Sequence, residues 1–473
     1  MDIVERAAQL FSNAPALRMS DQLLSFNECN LQAEAIAARL AGMGVLAGDI
    51  IALVSPNTPE LVLLMLGMLK AGIIAAPLNY RFPEHLLRHM LEKLHPRLTL
   101  TASKTNISST TIASFLSDTS SPSNAYVIER VSEMNRPVSI IHTSASSGEA
   151  KAALHSFANH WYSALGSHEN IPFGNGDCWL LSLPLYHIGG YAMLFRSLMF
   201  GGALAVAPPD EPLDQSLYNF PLTHLSVVPT QLYRLLAHKE NTARLRSMKA
   251  VLLGGSAVPK SLLEDAVRKE IPLYISYGST EMSSQIATTS AVTSCDNINA
   301  GKLLRYREIY VAEDGELLVK GECLFQGYLR EGKLQPQTDS DGWFHTSDMG
   351  SVTDDGVVTV IGRKDNMFIA GGENIHPEEI ETALMMIDGI VEALVVPAHD
   401  VEYGSRPVAF IKTVKVNAPD DERISRTMNA QVGKLKSPMH YYRVNEWTTL
   451  PGSQKINRKW YKQQVCDGLW EGL

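Results

Sequence analysis

Long uninterrupted apolar runs are missing from this sequence. The most apolar stretch, Glu60 to Leu78, is broken by Lys70 and two glycines, so a buried helix followed by a buried strand fits it better than a membrane span. Cysteine is also scarce. Cys29, Cys178, Cys295, Cys323 and Cys466 are scattered, and no two have CxxC spacing. That argues against a zinc or redox centre and for reduced thiols in the cytoplasm. Basic residues are not in excess. A formal net charge of -9 argues against non-specific nucleic-acid binding, which needs a positive face. The first residues, MDIVERAAQLF, lack a basic region followed by an apolar one, so no secretory signal is expected. No GxxxxGK[ST] phosphate loop occurs. The sequence leaves the oligomeric state open.

The chain has 473 residues, more than one hydrophobic core supports, so at least two folding units are expected. From about residue 45, β-rich runs alternate with helical patterns: 49–55, the end of the 60–78 stretch, 139–144, 178–184, 224–230, 250–255 and 272–278 read as strands, each followed by a helix or a polar loop. Such alternation implies largely parallel sheets covered by helices, with ligands at the carboxyl ends of strands. Small and polar clusters fall at those ends, at 143–148, 184–190, 254–257 and 277–281. After about residue 300 the pattern turns to hairpins, with turns at Asp314-Gly315 and Asp355-Gly356. A domain boundary is expected at 364/365, giving a large unit over 1–364 and a smaller α+β unit over 365–473. The Ser/Thr-rich segment 102–124 reads as a surface loop or sheet edge.

Six segments carry candidate chemistry. Thr143, Ser144, Ser146, Ser147, Gly148 and Lys151 form a hydroxyl-rich loop suited to wrapping phosphate oxygens, although a solvated turn reads the same way. Gly254, Gly255 and Ser256 make a second small-residue loop at a strand end. Tyr277-Gly278-Ser279-Thr280-Glu281 offers a ring for a purine, a hydroxyl for phosphate and a carboxylate for Mg²⁺, or else a polar turn. Asp348 ends an aromatic run, and a carboxylate accepts from both hydroxyls of a ribose. Arg363 precedes the Gly371-Gly372 pair, where unusual backbone angles or close ligand approach are permitted. Lys455 sits on a small-residue loop near the end and reads, by itself, as an exposed lysine.

In order and spacing these segments resemble the adenylate-forming superfamily of acyl-CoA synthetases, luciferases and peptide-synthetase adenylation domains, over nearly the whole chain. The resemblance implies a fold of helix-covered sheets with a small β-barrel-like subdomain and a small mobile C-terminal domain. It implies ATP, Mg²⁺ and coenzyme A as reactants. By that resemblance 143–151 and 254–256 hold phosphates or adenine, Tyr277–Glu281 is the family's Tyr-Gly-x-Thr-Glu, Asp348 and Arg363 hold ribose, Asp365 is the hinge, Gly371 and Gly372 line the thiol's approach, and Lys455 is the catalytic lysine. Thr280, Glu281 and His187 complete the expected catalytic set, Glu281 being the metal ligand. One departure stands out. The family loop commonly carries glycine, threonine and proline where this chain has Ala145, Ser147 and Ala150, which implies altered ATP affinity.

The stretches 171–174, 181–187, 228–232 and 251–255 resemble more closely the o-succinylbenzoate–CoA ligases of menaquinone biosynthesis. An aromatic dicarboxylic acid is then expected, with Arg196 for its second carboxylate and His187 on the acyl pocket wall. Three other readings compete: a ligase for another aryl or medium-chain acid, an adenylation domain serving a carrier protein, and a degenerate nucleotide-binding protein.

Overall fold

A computed structural model of the chain describes residues 2–104, 107, 109–117, 133–143, 150–255, 258–295, 298–414, 418–452 and 455–469. Two large sheets organise the first three-quarters. One has nine strands, in the order Lys302–Leu303, Ser284–Thr288, Leu273–Ser279, Ala250–Leu253, His224–Val227, Cys178–Leu180, Ala203–Ala205, Pro15–Arg18 and Leu23–Ser25. Its centre is parallel, as expected, and antiparallel strands close both edges. The other has eight strands, with Ala152–Ser156, Pro137–His142, Ile74–Leu78 and Ile50–Val54 at its middle. Here Ile74–Leu78 runs parallel to Ile50–Val54, while the phosphate-loop candidate connects an antiparallel pair.

The core follows from alternation along the strands. Leu252 belongs to an apolar cluster that draws residues from both sheets, whereas Val251 and Leu253 face a second cluster beneath the helices Pro229–Leu236 and Lys260–Arg268. The first cluster includes residues of the helices Phe26–Gly42, Pro59–Ala71 and Ile188–Phe200, which therefore lie between the sheets. Pro59–Ala71 is the apolar stretch read from the sequence. Thr58 caps it, accepting from the Leu61 N–H at 3.2 Å, proline opens it, and Gly72 ends it at φ 71°. Lys70 is buried with its charge met by Asp2 at 2.6 Å and Glu34 at 3.3 Å. No helix among the described residues is long and apolar enough to cross a membrane.

The described part of 102–124 is more ordered than a surface loop. Thr110–Thr111 adds the last strand to the eight-stranded sheet, and Ile112–Ser117 is a helix that buries Ile112 and Phe115. The expected barrel-like subdomain is a four-stranded antiparallel sheet, Glu308–Val311, Glu316–Lys320, Phe344–Val352 and Val358–Arg363, bridged to the nine-stranded sheet at Lys302–Val357.

Beyond it, Ile390–Asp400 and Gly404–Thr413 pair antiparallel and Tyr441–Arg443 adds in parallel. This small sheet is apolar on both faces. Val395, Ala409 and Ile411 pack under the helices Pro377–Met385 and Asp421–Gln431, while Leu394, Val396 and Phe410 pack against Arg458–Cys466. Both clusters are built wholly from residues after 367, so this module has a core of its own.

Candidate active site

The strand Leu273–Ser279 of the nine-stranded sheet turns sharply at Thr280–Ser283 into its antiparallel neighbour Ser284–Thr288. Ser283 and Ser284 take positive φ, 52° and 110°, and Gly278 has no room for a side chain, since a Cβ there would lie 2.0 Å from the Ser284 carbonyl oxygen. The turn is pinned from behind. The buried His155 Nε2 donates to the Thr280 carbonyl at 2.8 Å, and the Phe325 N–H donates to the Glu281 carbonyl at 2.7 Å. Glu281 is held in front by the Tyr328 hydroxyl, which donates to Oε1 at 2.6 Å. Lys151 rests its ammonium 5.1 Å from the centre of the same Tyr328 ring. One phenol thus meets a cation over its ring and a carboxylate at its hydroxyl.

Asp348 comes from the four-stranded sheet. It accepts from the Tyr277 hydroxyl at 2.7 Å on one oxygen and from Arg363 Nη1 at 3.1 Å on the other. Burial raises its carboxyl above the ordinary aspartate range, against the opposing pull of Tyr277 and Arg363. Burial and the Asp348 charge together push the Tyr277 phenol well up, so it stays a donor. Arg363 also bonds the Thr346 carbonyl at 2.9 Å and, through Nη2, Asp365 at 3.0 Å. Asp365 lies in a short 3-10 turn, Lys364–Asn366, and Lys364 is anchored to Asp314 at 2.6 Å and Glu316 at 2.9 Å.

Tyr277, Glu281, Tyr328, Asp348, Arg363 and Asp365 line a cleft of about 2710 Å³ between the large and small modules. That is several times the usual small-molecule pocket, and two or more ligands fit better than one. Thr143, Lys151, Gly254, Gly255, Ser279, Thr280 and His187 line it as well. Lys455 enters it from the small module on a clasped loop: the Leu450 N–H donates to the Lys455 carbonyl at 2.9 Å, and Thr449 bridges Ile456. Desolvation, and after it the Arg363 guanidinium, lowers the Lys455 ammonium below the ordinary lysine range. His187 opens the helix Ile188–Phe200, and desolvation together with Lys455 pushes it down to about 4. It is neutral near pH 7 and can accept a hydrogen bond.

Arg196 lies two turns further along that helix and is buried at 3% exposure. Its guanidinium sits over Trp179 at 5.6 Å and donates from Nη2 to the side-chain oxygen of Gln285 at 2.8 Å. Among the described residues its Nε has no hydrogen-bond partner and no carboxylate forms an ion pair with it. Burial, then the charge of Arg307, lowers it to about 9. A buried cation without a counter-charge at the wall of a cleft is costly unless an anion arrives.

Not every expected residue is brought to the cleft. Ser144, Ser146, Ser147, Gly148 and Ser256 lie outside the described residues. Gly371 and Gly372 are in the small module at the turn between Phe368–Ala370 and Glu373–Ile375, where Gly371 packs on Tyr403, and they do not line the cleft in this arrangement. Four residues were not legible beforehand: Tyr328, Gln285, His155 and Asn79. Tyr328 and His155 sit on strands that come next to the Thr280 turn only through sheet pairing, so nothing local in the sequence marks them.

Among the described residues no group of three or more His, Cys, Asp or Glu could hold a metal. Glu281 alone, beside Thr280, suits Mg²⁺, which keeps several waters and shares its shell with phosphates.

The AMP-binding enzyme family model matches residues 4–329, and the AMP-binding enzyme C-terminal domain matches 379–453. A 2-succinylbenzoate–CoA ligase of Salmonella typhimurium is 35% identical over 465 residues, covering 97% of this chain and 96% of the relative. Among solved structures, o-succinylbenzoate CoA synthetase from Bacillus subtilis in complex with the acyl-adenylate intermediate superposes with a TM-score of 0.87 at 28% identity, covering 98% of both chains. The same enzyme in complex with ATP and magnesium ion gives 0.86 at 28%, covering 97% and 98%. The match to both parts of the family and the near full-length identity to this relative show that the chain belongs to the AMP-binding enzymes and, among them, to the 2-succinylbenzoate–CoA ligases.

Proposed function

We propose that the chain joins o-succinylbenzoate to coenzyme A at the expense of ATP, in two steps that share one cleft. The reading rests above all on Lys455: a lysine from the small module reaches the cleft formed by Tyr277–Glu281, Asp348 and Arg363, near enough to Arg363 for the two charges to interact.

In the first step a carboxylate oxygen bonds to the α-phosphorus as the bond to the bridging oxygen breaks, and pyrophosphate leaves with that electron pair. Negative charge crowds at this centre, so positioned cations do most of the work. Lys455 is assigned to bridge the carboxylate and the α-phosphate. Lys151, Thr143 and Thr280 are assigned to phosphate oxygens, together with Ser144, Ser146, Ser147 and Gly148. Gly254, Gly255, Ser256, Gly278 and Ser279 let the nucleotide approach the backbone, and Tyr277 offers its ring to adenine. Asp348 and Arg363 are assigned to ribose; a carboxylate has about four acceptor positions, so Asp348 can keep Tyr277 and Arg363 and still accept from a diol. Mg²⁺ held by Glu281 would neutralise phosphate charge.

In the second step the small module turns about Asp365 and withdraws Lys455, and the region of Gly371 and Gly372 takes its place. The thiol sulfur bonds to the acyl carbon, AMP leaves with the carbon–oxygen electron pair, and the thiol proton passes to solvent. Arg196 is assigned to the second carboxylate of the acid, and the neutral His187 to the acyl pocket wall.

Mass spectrometry of products after incubation with ATP, Mg²⁺, coenzyme A and o-succinylbenzoate tests the reading. The expected products are the mono-thioester and AMP. Lys455→Ala should lower adenylate formation by about 100-fold or more. Absence of the thioester from the wild type, or full-speed adenylation by Lys455→Ala, would overturn it.

A further inference from the structure

The loop that carries Lys455 touches the large module at a second place, away from the hinge. Asn79 follows the buried strand Ile74–Leu78 and is itself buried, at 6% exposure. Its Nδ2 donates to the Gly452 carbonyl at 2.7 Å, while its Oδ1 accepts from the Arg81 N–H at 3.0 Å. Both ends of the amide are therefore used, and its orientation is fixed. Gly452 sits at φ 66°, and a Cβ there would fall 2.7 Å from the Phe82 ring and 2.8 Å from Asn79 Nδ2. The glycine thus permits both the turn and the close seat on Asn79 and Phe82. The loop is clasped at its base by the Leu450–Lys455 hydrogen bond and the Thr449–Ile456 bridge, so fixing Gly452 also fixes where Lys455 points.

We propose that Asn79 is a positioning residue for the first half-reaction alone: by holding the Gly452 carbonyl it docks the loop and sets Lys455 against the nucleotide. The inference rests on the role proposed for Lys455. If the small module turns about Asp365 for the second half-reaction, the Asn79–Gly452 bond breaks, so its loss should cost that step nothing. Asn79 neither lines the cleft nor is assigned to a substrate.

The test separates the half-reactions. Asn79→Ala, Asn79→Asp and Gly452→Ala, which attack the contact from its two sides, are compared with wild type. One assay is ATP–pyrophosphate exchange with o-succinylbenzoate. The other is thioester formation from supplied acyl-adenylate and coenzyme A. Losing a buried hydrogen bond predicts exchange slower by about tenfold or more in kcat, with the KM for ATP little changed and thioester formation within about twofold of wild type. Equal slowing of both half-reactions would mark a merely structural residue and overturn the proposal, as would exchange within about twofold of wild type. A pair of fluorophores, one on each module, read in the free enzyme without any acid, keeps the inference apart from the functional reading. A wild type that makes no adenylate from this acid fails that reading, whereas a distance distribution unchanged by Asn79→Ala fails the docking contact.

Discussion

Arg196 is buried against a neutral side chain, that of Gln285. A carboxylate at position 285 would meet the Arg196 charge within the protein; the amide accepts one guanidinium hydrogen bond and brings no opposing charge, as the proposed contact with the second carboxylate of the acid requires. Gln285 is itself held, accepting from Ser167 at 2.6 Å and donating to Thr288 at 2.9 Å. Two substitutions follow from this. Arg196→Ala should raise KM for o-succinylbenzoate far more than for benzoate, which has no second carboxylate. Gln285→Glu, nearly the same shape, should do the same by supplying an internal rival anion, by about tenfold or more if the new ion pair is worth the usual strength of a charged hydrogen bond. Steady-state kinetics with the two acids checks both, and equal effects on both acids would reject the assignment. Arg196 was legible in the sequence only as one arginine on an apolar helix after a loop, and the same pattern fits a bracing arginine. Its distinguishing property is that it is buried without a counter-ion, and that depends on Gln285, far away in the chain and neutral.

The elements around the Thr280 turn carry a different consequence. His155 and His160 lie on a strand and on the helix after it, both buried, with ring centres 5.2 Å apart. Burial pushes His155 from 6.5 to about 4, and burial together with His155 pushes His160 well down. An unfolded chain protonates both rings near pH 6.5, whereas the folded chain resists the proton on His155 until about pH 4. The folded pKa of each is depressed, so the stability they allow is present above pH 6.5 and is lost as pH falls below it, for His155 by about 1.4 kcal/mol per pH unit down to about pH 4. Urea unfolding at pH 7 and pH 5 should show the fall, and His155→Phe should flatten it. At the same turn, Gly278→Ala puts a methyl group against the Ser284 carbonyl, a backbone atom that cannot yield cheaply. ATP should then no longer raise the melting temperature of a variant that otherwise unfolds cooperatively. The sequence showed a tyrosine, a glycine, a hydroxyl and a carboxylate in a row after a strand, because that is local chemistry, and a polar turn reads the same way. It could not mark His155 or Tyr328, which reach the turn from the strands Ala152–Ser156 and Gly327–Arg330, paired with each other in the other large sheet.

For the whole molecule, the alternation of strands and helices pointed to largely parallel sheets covered by helices, and the change of pattern after residue 300 pointed to hairpins; the division into two large sheets, one with an antiparallel pair at its middle, was not readable. Nor was the meeting of distant parts. Nothing near Lys455 in the sequence points to Arg363, His187 or Asn79, since that proximity is created by docking a module with its own core onto another.

That arrangement also dictates the order in which reactants come and go. The ammonium of Lys455 occupies the cleft while the Gly371–Gly372 turn stays outside it. If each must be withdrawn for the other to serve, pyrophosphate departs before the thiol is admitted, and at no moment are ATP and coenzyme A both productively bound. Initial-rate plots varying ATP at several fixed concentrations of coenzyme A should then give parallel lines, the signature of a double-displacement scheme, and lines that converge would mean that one enzyme molecule receives both at once.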